Sequence, residues 1–118
     1  NNSLEEIHNY PTVLISTNPQ KITLRNFKFD SLYKERLLIK NLMDFTIVIN
    51  LVSSDPKKIY IKERVVKLSA NKTIEVTVKI LVKASFNNIH FYRNIGKHYL
   101  LIRNEMFDYK VPVIFERQ

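Results

Sequence analysis

The sequence predicts an all-β domain built as a sandwich of antiparallel sheets. Three observations carry that expectation. Apolar and polar residues alternate with period two in several segments, β-branched residues crowd those segments, and turn-forming residues separate them at short intervals. The chain has 118 residues, 45% of them hydrophobic and 25% charged, which suits one folded domain and is too short for two comfortable ones. A sandwich of the immunoglobulin-like type needs roughly 100 residues, so length and pattern agree.

Short strands are expected at Thr12 to Ser16 and Lys21 to Arg25. Tyr33 to Lys40 then alternates through Leu37 and Ile39, with Arg36 and Lys40 pointing outward. Phe45 to Val52 alternates through Phe45, Ile47, Ile49 and Leu51, and Lys58 to Lys62 through Ile59 and Ile61. A further short strand is expected at Val65 to Leu68. The clearest case is Thr73 to Lys83, where Ile74, Val76, Val78, Ile80 and Val82 face one way and Thr73, Glu75, Thr77, Lys79 and Lys83 the other. Helical geometry would scatter those five side chains, and their stiffness at χ1 favours a strand. Strands at His98 to Arg103 and Tyr109 to Phe115 complete the set. Ala84 to Lys97 is the least regular stretch, a long connection or a short helical turn. Its Phe86, Ile89, Phe91, Tyr92 and Ile95 are expected to cap the end of the sandwich, with a partner-binding protrusion as the alternative.

Turns must be made almost without glycine, since Gly96 is the only one. Asn41, Asn71, Asn87, Asn88 and Asn104 are expected to take that role, because Asn tolerates left-handed backbone angles. Asn18-Pro19 and Asp55-Pro56 mark further bends. Pro112 lies inside the last strand and has no N–H for a ladder, which implies an edge strand or a bulge.

No apolar run approaches the roughly 20 residues of a membrane span. Asn1 to Tyr10 lacks the basic-then-apolar plan of a signal peptide. The absence of cysteine favours a reducing compartment, and the glycosylation triplets at Asn1 and Asn71 are read as chance in an Asn-rich chain.

Enzyme chemistry is not expected. His8, His90 and His98 stand at no metal-ligand spacing, and His98 is expected at the surface or edge of a strand. A single glycine excludes a Gly-rich phosphate loop, and no Ser sits in a nucleophile elbow. Asp30, Asp44, Asp55 and Asp108 lie near turns, where local Asx hydrogen bonding accounts for them. No metal or cofactor is expected. What stands out is charge: a formal net charge of +8 makes acidic proteins, anionic membrane or nucleic acid plausible partners, while solvation of exposed strand faces is the plain alternative. Lys57, Lys58, Lys62, Arg64 and Lys67 crowd one stretch, and Tyr60 shares a strand face with Lys58 and Lys62. Lys57, Lys58, Tyr60, Lys62 and Arg64 are therefore the candidate partner-binding residues. An aromatic between lysines also suits single-stranded nucleic acid, a less favoured reading.

The order of segments resembles the opening of the ASH and major sperm protein families, the PapD-like immunoglobulin-type domains. Asn18 to Leu24 is followed by Tyr33 to Asn41, in which Leu37, Ile39 and Asn41 keep the family's spacing before Phe45. Asp55 to Tyr60 matches a segment with a proline and an aromatic, and Leu68 to Ile80 a polar turn leading into a long alternating strand. Tyr99 to Ile102 and Val111 to Val113 are similar to the closing hairpin. The likeness spans roughly residues 12–116, which sets a domain at 12–118 and leaves 1–11 as a linker or boundary segment. It implies a sandwich of seven to eight strands and a non-enzymatic, protein-binding scaffold module of a larger cytoplasmic, cytoskeleton-associated protein of centrosome, spindle pole or cilium. The alternative is a basic module contacting anionic membrane or nucleic acid. One branch of the relatives binds acidic peptides through a Lys-x-Thr element after the Phe of the third strand. Here Phe45-Thr-Ile-Val-Ile-Asn-Leu lacks that lysine, so that activity is not carried over. Sperm-protein polymerisation is not carried over either.

Overall fold

The computed structural model describes residues 13–85 and 88–117. In chain order the elements are β1 (Ile15–Asn18), β2 (Ile22–Leu24), β3 (Tyr33–Asn41), β4 (Ile47–Ser53), β5 (Ile59–Ile61), β6 (Val65–Leu68), β7 (Thr73–Ile80), α1 (Ile89–Arg93), β8 (Tyr99–Asn104) and β9 (Phe107–Phe115). They form a four-stranded sheet, β1-β3-β7-β5, packed on a five-stranded sheet, β2-β9-β8-β4-β6. The count exceeds seven or eight because two continuous runs change sheets. Residues 15–24 pass from one sheet to the other as β1 and β2, and residues 59–68 do so as β5 and β6. Taken as single runs, these leave seven. All pairings are antiparallel except β2 with β9, which run parallel in the register Ile22↔Val113 to Leu24↔Phe115.

Period-two alternation becomes the core. Leu37 and Ile39 of β3 and Val76, Val78 and Ile80 of β7 face Ile47, Ile49 and Leu51 of β4 and Leu100 and Ile102 of β8, all buried. Each fully buried side chain of this size contributes about 1.5–3 kcal/mol of transfer free energy, so the alternation alone accounts for the main driving force. Pro112 does not make β9 an edge strand, since β9 lies between β8 and β2. Val113 N–H donates to the His98 carbonyl at 2.9 Å, so alternation turns the nitrogen of residue 112 away from β8. It faces the other side just before the β2 register begins at Val113.

The turns depart from expectation in an informative way. Left-handed backbone occurs at Asn26 (φ 55°), Asp30 (φ 64°) and Asn71 (φ 60°), so among the described residues only Asn71 of the expected set uses it. Asn41 instead ends β3 with a fully buried side chain (0% exposed). Its Nδ2 donates to the carbonyls of Phe45 (2.8 Å), Leu68 (3.1 Å) and Ser69 (3.2 Å), and its Oδ1 accepts from Met43 N–H (2.9 Å). Asn104 likewise accepts from Met106 N–H at 3.0 Å. Asn87 lies outside the described residues. Phe45, expected inward, is 44% exposed, because it belongs to the turn that Asn41 clamps and β4 begins two residues later.

Aromatic rings close one end of the sandwich. Phe91 of α1 is buried among Phe27, Phe29 and Phe115, with centroid distances of 5.7, 5.6 and 5.2 Å. Tyr92 and Ile95 pack beside it, whereas Ile89 is exposed. The capping expected of this segment is thus carried by Phe91, Tyr92 and Ile95, and Phe86 lies outside the described residues.

Candidate functional site

The expected basic site is built on β5, a three-residue edge strand. Ile59 and Ile61 bury their side chains, which turns Tyr60 outward at 48% exposure. The turn before it is closed by the Asp55 carbonyl, which accepts from Lys58 N–H (3.0 Å) and Ile59 N–H (2.8 Å). Lys58 Nζ sits 2.8 Å from Asp55 Oδ2, so its charge is already paired. Burial raises the Asp55 carboxyl, but the hydrogen bond and charge of Lys58, with Lys57 N–H and His98 adding to them, hold it below its usual 3.8.

Folding divides the candidate set. Tyr60 and Lys62 share the outer face of the four-stranded sheet. Lys57 lies in the preceding turn and borders a hollow with Leu81, Lys83, Asn88 and His90. Arg64 lies where the chain crosses to the other sheet, lining with Val52, Pro56, Tyr60 and Val65 a groove of about 340 Å³. Lys67 is carried away on β6. Among the described residues, Lys57, Lys62 and Arg64 have no ion-pair partner.

Two further lysines join Tyr60 through sheet register. Lys34 stands opposite Lys79, and Lys79 stands opposite Tyr60. With Lys62, Glu63 and Thr77 they line a recess of about 370 Å³. Arg36, one step along β3, is tied to Glu75. The outward alternation of Lys34 and Lys79 was visible in the sequence. Their meeting was not, because it depends on which strands pair.

Of the aspartates, Asp55 keeps the local bond expected of it, accepting from Lys57 N–H, whereas Asp30 and Asp108 are used otherwise. Asp30 Oδ1 accepts from Ala84 N–H at 3.0 Å, and Asp108 pairs with Arg103 at 3.1 Å across the β8–β9 hairpin. Asp44 has no side-chain bond among the described residues. His98 is also corrected: it is only 7% exposed, wedged between Phe91 and Phe115 at 5.6 and 5.2 Å. The alternation His98, Leu100, Ile102 signalled an inward position. Burial pushes the imidazole below its ordinary 6.5; the Ile95 carbonyl and Asp55 oppose that shift, and Lys58 adds to it. Its Nδ1 has no hydrogen-bond partner. Among the described residues no three His, Cys, Asp or Glu side chains gather as a metal site, and no helix is long and apolar enough to cross a membrane.

No protein-family model matches the sequence, and no curated protein resembles it in sequence. Solved structures do share its fold. WR4, a major sperm protein family member of Caenorhabditis elegans, superposes with a TM-score of 0.64 at 9% identity, over 86% of this chain and 97% of that one. SSP-19, an MSP-domain-like protein of the same organism, gives 0.63 at 11% identity, over 86% and 98%. The ASH/PapD-like domain 7 of human CEP192 gives 0.56 at 9% identity, over 92% and 90%. The fold is therefore the immunoglobulin-like sandwich of MSP and ASH/PapD-like domains.

Proposed function

We propose that this domain is a non-enzymatic protein-binding module of a larger scaffold, and that it docks an acidic partner through the basic surface around β5. The observation that carries the reading is the uncompensated charge of Lys57, Lys62 and Arg64 around exposed Tyr60, while the neighbouring Lys58 is neutralised by Asp55. Charge complementarity of this kind acts mainly on encounter and partner choice. The likeness to an ASH/PapD-like domain of CEP192 supports a centrosomal, spindle-pole or ciliary setting in the cytoplasm, and the fold of MSP domains supports binding without turnover. Residues 12–118 would form the module, with 1–11 as a linker.

The test is a pull-down from cytoplasmic extract with wild type and the Lys57→Glu, Lys62→Glu, Arg64→Glu variant, at low and high salt. Isolated surface changes usually cost under about 0.5 kcal/mol each, so the variant should stay folded. Protein partners should be lost from the variant and weakened by salt. An unchanged partner set would remove the basic surface from the account and point to α1 and its flanks. Partners that disappear with nuclease, or binding only to anionic vesicles, would favour a nucleic-acid or membrane contact instead.

A further inference from the structure

The recess on the outer face of the four-stranded sheet concentrates charge that the segment around Tyr60 does not supply alone. Lys34 and Lys79 are direct cross-strand neighbours, which puts their Cα atoms about 4.5–5.5 Å apart, and like charges so placed repel. Lys62 joins them around Thr77, and Glu63 contributes one carboxylate to the lining. Nearby cations are already paired, Arg36 with Glu75 and Lys58 with Asp55. Among the described residues no ion pair neutralises Lys34, Lys62 or Lys79. Three ammonium groups against one carboxylate leave two net positive charges in a single recess of about 370 Å³.

We infer that this recess binds one phosphorylated side chain of a partner protein. The inference rests on the protein-binding reading above and names anchors on β3 and β7 that lie outside its basic stretch. A phosphorylated Ser or Thr carries about −1.5 to −2 charges at neutral pH, which matches the excess, whereas a carboxylate brings only one. Lysines serve as movable point charges around a tetrahedral anion, and the Thr77 and Tyr60 hydroxyls are available donors. Compactness argues against a long polyanion. Single-stranded nucleic acid needs several stacking rings along a track of cations, but here Tyr60 is the one exposed aromatic on these strands. A membrane needs an apolar group to insert as well as charge. Tyr60 is the only exposed large apolar side chain on β1, β3, β5 and β7 among the described residues.

The experiment is fluorescence polarisation with a labelled Gly/Ser peptide carrying one phosphoserine, alongside its unphosphorylated twin. Inorganic phosphate and phosphatidylcholine vesicles doped with a phosphoinositide are the comparison probes. The phosphopeptide should bind and its twin should not. Lys34→Gln and Lys79→Gln should each weaken binding about tenfold, the order expected for one charged contact. Lys34→Arg with Lys79→Arg should restore it, and Lys67→Gln, on β6 of the other sheet, should leave it nearly intact. Thermal melts must show every variant folded; if either Gln variant is unfolded, Lys34→Met or Lys79→Met, which keeps the aliphatic stem and removes the charge, provides the same readout. Equal binding of wild type and Gln variants would overturn the inference, as would vesicle binding without phosphopeptide binding. So would displacement of the peptide by inorganic phosphate at equal concentration. If extract partners depend on Lys57 and Arg64 while the Lys34 and Lys79 variants change nothing, the recess falls and the protein-binding reading stands.

Discussion

Removing the Asn41 side chain should cost this domain about 3 kcal/mol, a large share of the 5–15 kcal/mol that typical domains possess. Its amide has two N–H groups to distribute among the carbonyls of Phe45, Leu68 and Ser69, and its oxygen accepts from Met43 N–H. In Asn41→Ala the bond to Leu68, which is buried, leaves an unmet carbonyl at about 1–3 kcal/mol. The second donor bond and the Met43 bond are partly accessible to water, and each contributes about 0.5–1.5 kcal/mol. With a urea dependence of about 1–3 kcal/mol per molar, the unfolding midpoint should fall by about 2 M with an unchanged slope. Asn41→Asp should be worse at neutral pH, because it sets a carboxylate against carbonyl oxygens. Relative to wild type, its deficit should shrink on acidification as the carboxyl gains a proton it can donate. The assay is urea unfolding followed by circular dichroism at two pH values. An Asn41→Ala variant within about 0.5 kcal/mol of wild type would refute the reasoning, because surface substitutions alone vary that much.

Val76→Asp, placing a carboxylate at a position 2% exposed, should cost several kcal/mol or unfold the domain, while Thr77→Asp on the outer face should be mild. Equal melting temperatures for the two would contradict the facing of β7. His98 has a folded pKa below 6.5, so the unfolded chain binds the extra proton first and stability should fall as pH drops below about 6.5. His98→Phe should flatten that part of a stability-versus-pH curve, and an unchanged curve would count against burial as the cause. Asp55, held below 3.8, should keep its contribution above that pH and lose it as pH falls through its folded value. The remaining loss in His98→Phe should lie in that more acid range.

Local pattern carried much of the fold into the sequence reading. The five alternating apolar residues from Ile74 to Val82 became the central strand β7 and its exit, and Leu37 and Ile39 became the core of β3. What stayed hidden depends on pairing between distant segments. The parallel contact of β2 with β9 joins residues about ninety positions apart, and nothing in either segment encodes a direction relative to the other. The same limit applies to the candidate site, where Tyr60 and Lys62 were legible and their junction with Lys34 and Lys79 was not. The role of Asn41 is hidden for another reason: a buried amide clamp and a left-handed turn draw on the same residue type. His98 was legible in principle, since it extends the inward alternation of Leu100 and Ile102, but a polar ring at a strand end suggests an edge.

The parallel pairing of β2 with β9 also determines how the domain responds to tension. Glu116 N–H donates to the Leu24 carbonyl at 2.9 Å, and Phe27 N–H donates to the Glu116 carbonyl at 2.8 Å, extending the ladder past Phe115. Pulling on the chain that enters β1 and the chain that leaves β9 draws these two strands in opposite senses along their length. The bonds between them must then slide and fail together, because this geometry cannot unzip them one at a time once β1 has detached. A module strung in a long filamentous protein would therefore resist stretching at this clasp, with resistance set by its unfolding barrier and not by its equilibrium stability.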